Sequence, residues 1–180
     1  VLEQARRLGV HLLNISGGEP LLHRDFLEIT EYIASVPTFS ANLNTNGTLI
    51  REEHDEMIAR AFSSIQVSID GATAEQHDAF RGCKGSFDAS VRTIERLIAR
   101  GMEINVGFSL AEITLASLDG MVDLCERLGV TTLGIGFVAQ VGRAQRNGLV
   151  CIGAPDLNGD RLMDQVYRKI RELSLRNTRV

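Results

Sequence analysis

Three helix–glycine–strand junctions constrain this chain more than any other feature: Leu8-Gly9-Val10, Arg100-Gly101-Met102 and Leu128-Gly129-Val130. A glycine just past a helix accepts the left-handed conformation that ends it. Before each junction the apolar residues recur at helical spacing, and after each comes a short apolar run of strand length. A chain that alternates in this way builds βα units with right-handed crossovers and parallel strands. Strands are expected at residues 11–15, 39–44, 65–69, 103–109 and 131–138, as parallel neighbours in that order. Helices are expected at the start of the chain, over 25–36, 52–61 and 87–98, around 118–128, and from about 160 to 173. Phe26, Ile29, Ile33 and Val36 form the stripe of the second helix, Asp25 with Glu28 reads as its capping box, and Pro37 ends it.

The length of 180 residues suffices for one real core but not for an eight-fold barrel, which typically needs about 250 residues. The expected fold is therefore α/β, a partial (β/α) barrel of parallel strands, truncated at both ends. Residues 1–150 form its central part, and 151–180 a helical segment leading onward. Aromatic residues make up 5% and Trp is absent, so aliphatic side chains must fill the core. A net charge of −4 argues against a broad nucleic-acid footprint. No apolar run is long enough to span a bilayer, so no membrane partner is expected. Cys83, Cys125 and Cys151 are too far apart for a disulfide framework or metal spacing, and fit a reducing, cytoplasmic setting. The chain opens at Val1 inside a helical pattern, with no methionine, so a segment of a longer protein is expected, inactive by itself. A long irregular stretch covers residues 139–157.

In parallel α/β folds ligands bind at the carboxyl ends of strands. Each expected strand body reads as apolar, and each end is polar or glycine-containing. The first gives Ser16-Gly17-Gly18-Glu19-Pro20, the second Asn44-Thr45-Asn46-Gly47-Thr48, and the third Ser68-Ile69-Asp70-Gly71. The fourth gives Ser109, then Glu112 and Thr114, and the fifth Gln140, Gly142 and Arg143. Glycines let backbone approach a ligand, and a carboxylate beside bared backbone can hold an ammonium. Five polar rims in succession point to a shared ligand site. None of the four histidines pairs with another ligand at helical spacing, so no metal site is assigned within the chain.

Gly17-Gly18-Glu19-Pro20-Leu21, Asn44-Thr45-Asn46-Gly47 and Val67-Ser68-Ile69-Asp70-Gly71 stand in the order seen in radical S-adenosylmethionine enzymes, which this chain resembles over roughly residues 1–150. His77-Asp78-Ala79-Phe80-Arg81-Gly82, Gly85-Ser86-Phe87-Asp88 and Gly142-Arg143-Ala144 resemble the narrower SPASM-type branch, the maturases of peptides, haem and peptide-derived cofactors. The resemblance implies a partial barrel in which S-adenosylmethionine chelates one iron of a [4Fe–4S] cluster. Reductive cleavage then gives a 5′-deoxyadenosyl radical that abstracts hydrogen from a peptide, haem-precursor or cofactor-precursor substrate. A reductant such as a flavodoxin or ferredoxin is implied. Glu19 with Gly17 and Gly18 matches the motif for the methionine amino group, Asn44 and Ser68 match positions facing the methionine moiety and ribose, and Arg81 matches a carboxylate partner. With Pro20, Asn46, Asp70 and Ser109 these complete the cofactor-binding candidates; no catalytic residue is assigned.

The chain also departs from the family. The Cys-x₃-Cys-x₂-Cys run of cluster ligands is absent, and is expected upstream of Val1. Cys125 lies on an apolar helix stripe and reads as core. Thr114 stands where many relatives carry Asn. Two other readings remain: an ordinary (β/α) barrel lyase or epimerase, and a non-catalytic S-adenosylmethionine- or nucleotide-binding module that has lost its cluster. The first would want a Lys or a paired acid at strand ends, and neither Lys84 nor Lys169 follows a strand.

Overall fold

A computed structural model describes residues 1–138, 164, 166–168 and 171. Five strands, β1 (Leu12–Ile15), β2 (Ser40–Thr45), β3 (Ser64–Ser68), β4 (Glu103–Leu110) and β5 (Thr132–Phe137), follow one another in chain order in the sheet. β1 and β2 pair parallel with Asn14 opposite Asn42, and β2 and β3 pair parallel with Asn42 opposite Ser64. The helices are α1 (Leu2–Arg7), α2 (Phe26–Ser35), α3 (Asp55–Ala61), α4 (Ala74–Arg81), α5 (Ser86–Ile98) and α6 (Leu118–Leu128). The alternation expected from the three junctions is the alternation observed, and Gly9, Gly101 and Gly129 all have φ near +75°, at 74°, 80° and 73°.

The described residues pack as two units. One comprises Val1–Ser68 with Asp88–Asn105, the other Ile69–Phe87 with Val106–Val180. The core of the first contains Ala41, Leu43, Ile58, Ile65, Val67, Ile94 and Leu97, and that of the second Phe108, Leu110, Leu118, Met121 and Leu124. The expectation of an aliphatic core holds in both.

Several local expectations give way. Asp25 precedes α2 but its side chain makes no capping bond; its own N–H donates to His23 Nδ1 at 3.2 Å, and its carboxylate turns to Arg24. The helix expected over 52–61 begins as a 3-10 turn at Glu52–His54. Asp55 is fully buried between Arg96 and Arg100. Arg96 grips it through Nε at 2.6 Å and Nη2 at 3.1 Å, and Nη2 also donates to the Ile50 carbonyl at 2.9 Å.

The strand bodies are not apolar throughout. β2 and β4 alternate strictly, every second residue being buried, and the intervening positions carry Asn42, Asn44, Asn105 and Ser109. One face of each strand therefore packs the core and the other is polar. The fifth rim, with Gln140, Gly142 and Arg143, Cys151 and the boundary at residue 150 lie outside the described residues. Within the last expected helix, Asp164, Val166–Arg168 and Arg171 are helical and Val166 is buried.

Candidate functional site

In the first unit Glu19 ties the loop after β1 to the end of β2. Its Oε1 accepts from the Thr45 hydroxyl at 2.7 Å and from the Leu21 N–H at 3.3 Å. Its Oε2 accepts from the Asn46 N–H at 2.8 Å. A carboxylate offers about four acceptor positions, so one on Oε2 stays available. Pro20, buried, opens the 3-10 turn Pro20–Leu22, where its missing N–H costs nothing. Its place is in shaping the loop.

Gly17 and Gly18 are exposed on the same loop, and a Cβ at either would meet nothing within 4 Å. Gly17 has φ of 149°, a conformation side chains disfavour. The two residues that precede Glu19 thus present bare backbone to open space.

The second rim is self-braced. Thr45 Oγ1 also accepts from the Gly47 N–H at 3.1 Å, and Asn46 Oδ1 accepts from the Thr48 N–H and hydroxyl at 2.8 and 2.7 Å. Ser90 and Thr93 of α5 donate to the Asn46 and Gly47 carbonyls at 2.7 and 2.9 Å. A Cβ on Gly47 would stand 3.0 Å from Val67 Cγ1, at a φ of 76°. Asn46 gives its Oδ1 to the turn and keeps its Nδ2 without a partner among the described residues, while Asn44 and Ser68 are half-buried and have no side-chain partner among them.

In the second unit Asp70 is fully buried. Its Oδ1 accepts from the Ser109 N–H at 2.7 Å, and Oδ2 meets Arg81 Nε at 2.5 Å as a charge contact without hydrogen-bond alignment. The Arg81 side chain is 33% exposed and has no other partner among the described residues. The Asp70 N–H donates to His77 Nδ1 at 3.0 Å. That nitrogen must be unprotonated, so the ring is neutral with its proton on Nε2. Burial, joined by Arg81, pushes the His77 pKa down from its ordinary 6.5 and against it stand only Asp70 and Asp78.

Residues 77–82 lie in α4 and its αL cap, Gly82. The His-Asp-Ala-Phe-Arg-Gly stretch has a structural account. His77 braces Asp70, Arg81 pairs with it, and Asp78 accepts from the Phe87 N–H and Ser86 hydroxyl at 2.9 Å and from the Gly85 N–H. These bonds hold the Asp78 carboxyl below its usual range, the Phe87 N–H first among them. Thr114 Oγ1 accepts from the Ala111 N–H and donates to the Ser109 carbonyl, both at 2.8 Å, closing the turn after β4.

No group of three His, Cys, Asp or Glu able to hold a metal ion occurs among the described residues. Cys83 is exposed, and burial pushes the Cys125 thiol up to about 12, the opposite of what a thiolate ligand needs. These two cysteines do not fit an iron–sulfur cluster. A cleft of about 560 Å³ in the first unit, lined by Val1, Leu2, Ile15, Phe26, Ile29 and Tyr32 among others, is chiefly apolar. Of its three acids, Glu3 is taken by Arg6, Arg7 and Tyr32, and Asp25 pairs with Arg24.

The strand ends of this parallel α/β chain thus combine open glycines, a braced carboxylate and amide and hydroxyl groups without partners among the described residues. A family profile described as the Radical SAM superfamily matches residues 1–125, and the chain belongs to that family. Over 133 residues it is 35% identical to the mycofactocin maturase MftC of Mycobacterium tuberculosis, covering 73% of this chain and 34% of that protein. It is 34% identical over 138 residues to an AdoMet-dependent heme synthase of Nitratidesulfovibrio vulgaris, covering 76% and 37%. The chain thus spans little more than a third of these relatives. The fold is similar to that of Streptococcus suis SuiB, with a TM-score of 0.73 at 18% identity, covering 95% of this chain and 39% of SuiB. A SuiB structure bound to S-adenosylmethionine matches with a TM-score of 0.68 at 16% identity over 96% and 38%. The family implies S-adenosylmethionine and an iron–sulfur cluster. No helix of the described residues is long and apolar enough to cross a membrane.

Proposed function

We propose that this chain is the central part of a radical S-adenosylmethionine enzyme, and that the strand ends of the first unit hold S-adenosylmethionine. The observation that carries this is Glu19, a carboxylate fixed by three donors with an acceptor position left beside two open glycines. An ammonium donating there gains a charge-assisted bond to a group that need not reorganise. Asn44 and Ser68 supply hydrogen bonds to the ligand's neutral polar groups. In the second unit Arg81, oriented by the buried Asp70, offers its outer N–H groups to a carboxylate. Asp70, held by the Ser109 N–H, positions it.

When bound with its [4Fe–4S] cluster, S-adenosylmethionine supplies a radical able to take hydrogen from an unactivated carbon. The protein's contribution is orientation and electrostatics. The cluster's thiolates come from outside the described residues, and a flavodoxin or ferredoxin supplies the electron in the cytoplasm. The substrate is a peptide, a haem precursor or a cofactor precursor, a range supported by the names of a mycofactocin maturase and a heme synthase and by the SuiB complex with its precursor peptide. The test is anaerobic reconstitution of the intact protein with iron and sulfide, reduction by dithionite, and detection of 5′-deoxyadenosine by mass spectrometry. Cluster-dependent release of 5′-deoxyadenosine supports the reading. Bound S-adenosylmethionine without cleavage favours the non-catalytic module, and no binding at all favours an ordinary barrel enzyme.

A further inference from the structure

We propose that His77 is a positioning residue: it holds the backbone at Asp70 so that the Asp70 carboxylate aims the outer end of Arg81 at a ligand carboxylate, and it releases that hold on taking up a proton. This rests on the reading above and adds a pH-sensitive residue to it. All the groups involved lie in the second unit. The start of α4 clasps the chain after β3 twice: the Asp70 N–H donates to His77 Nδ1 and the Ala72 N–H to Gln76 Oε1, both at 3.0 Å. Between these bonds Gly71 comes so close that a Cβ there would stand 2.5 Å from the His77 nitrogen. His77 and Arg81 are four residues apart on α4 and so share a face, where both meet Asp70. The Ser109 N–H fixes the far oxygen of the same carboxylate at 2.7 Å.

Arg81 is held differently from Arg96. Arg96 spends Nε and Nη2 on Asp55 and the Ile50 carbonyl. Arg81 meets Asp70 through Nε, and neither of its Nη groups has a partner among the described residues. A guanidinium held at Nε presents the two Nη groups that can grip a carboxylate bidentately. Apolar residues of the same volume often serve stability as well as a buried ion pair, so the fully buried Asp70 is accounted for by the cation it orients. The neutral His77 ring accepts at Nδ1. Protonated there, it sets N–H against N–H and becomes a second cation competing with Arg81 for Asp70. The charged groups facing the ring are Arg81, Asp70 and Asp78, and the Phe87 ring packs on it at 5.9 Å between centroids. Burial first, then Arg81, lower the His77 pKa from 6.5 against the pull of the two acids. The hold is therefore complete at neutral pH and is lost only below 6.5, as pH falls through the folded value. The carboxylate of S-adenosylmethionine and an acid of the substrate share the chemistry that Arg81 recognises.

The test uses the intact reconstituted protein and three probes: S-adenosylmethionine, its decarboxylated analogue, and propionate. Phenylglyoxal labelling of Arg81 at pH 8, read by peptide mass spectrometry, shows which probe covers the guanidinium. Protection by S-adenosylmethionine beyond that of the decarboxylated analogue assigns the carboxylate to the cofactor; protection by propionate alone assigns it to the substrate. Calorimetry then follows the protecting probe. Its affinity should fall about tenfold in His77→Leu and be kept in His77→Asn, whose Oδ1 accepts in place of Nδ1 without titrating. In the wild type it should also fall about tenfold below pH 6.5, at the midpoint that NMR of the His77 ring nitrogens gives, and His77→Asn should lack that step. The wild-type titration decides the matter even if His77→Leu fails to fold. The proposal is overturned if neither carboxylate probe protects Arg81 beyond the decarboxylated analogue. It is equally overturned if wild type and folded His77→Leu bind alike, or if His77 titrates with no change in affinity. Such a failure in a protein that still releases 5′-deoxyadenosine sinks this inference alone; with no release, the radical reading falls with it.

Discussion

Replacing Glu19 by glutamine keeps the size of the side chain and removes its ability to serve donors on both oxygens. In the native loop Thr45 and Leu21 donate to Oε1 and Asn46 to Oε2. A glutamine amide has one acceptor oxygen and one NH₂. If the oxygen takes the Thr45–Leu21 side, the NH₂ confronts the Asn46 N–H. If it takes the Asn46 side, the NH₂ confronts the Leu21 N–H and the Thr45 hydroxyl, whose oxygen is already engaged by the Gly47 N–H. Either way at least one donor is orphaned, and the retained bonds fall from charge-assisted to neutral. Hydrogen bonds to charged groups contribute about 1.5–3 kcal/mol and neutral ones about 1 kcal/mol, and Glu19 is only half-buried, so water recovers part of the loss. The expected cost is about 2 kcal/mol, a fall in Tm of about 4–8 °C for a domain of this size. Thermal and urea denaturation followed by circular dichroism measure it. An unchanged Tm would refute the claim that this carboxylate braces the loop, and with it the preorganised ammonium site.

Three further outcomes follow from the packing. Gly71→Ala would put a Cβ 2.5 Å from the His77 nitrogen and should destabilise the protein by at least about 1–3 kcal/mol, whereas Gly18→Ala, facing open space, should leave Tm unchanged; melting curves compare them. Arg96→Met strips the bidentate partner from the fully buried Asp55 and should cost about 3 kcal/mol, while Arg100→Met, which removes a 3.2 Å contact from a side chain 42% exposed, should cost less than about 1 kcal/mol in urea titrations. His77 has a folded pKa below its ordinary 6.5, so the unfolded chain takes up the proton first. Stability is full above 6.5 and is lost as pH falls from there through the folded value. Urea midpoints from pH 8 to pH 5 should show this loss, reduced in His77→Gln; an equal pH slope in both proteins would contradict it.

The order of elements was legible because glycine marks each junction and apolar spacing marks each helix face. α4 was not, since Ala74–Arg81 buries only His77 and carries no apolar stripe. What holds it is a set of polar bonds: Thr73 capping Gln76, His77 under Asp70, and Asp78 reaching α5. Buried Asp55 escaped notice for a related reason, because its partners lie more than forty residues on, at Arg96 and Arg100. The motif positions of the site were legible, yet their division of labour was not. Pro20 and Thr114 read as rim residues and are occupied in shaping turns, Asn46 is so occupied through its Oδ1 alone, and Asn44 and Ser68 keep their polar groups available. The polar face of β1–β3 was hidden by short runs such as Leu12-Leu13-Asn14-Ile15, in which the apolar majority masks the period of two.

Calorimetric titration of S-adenosylmethionine into the anaerobically reconstituted protein, wild type against Glu19→Ala, tests most directly whether the strand ends of the first unit hold this ligand. Loss of the ammonium's charged partner predicts an affinity lower by at least about tenfold, with the variant's fold verified by circular dichroism. An affinity equal to that of the wild type would place the ligand elsewhere and contradict the account.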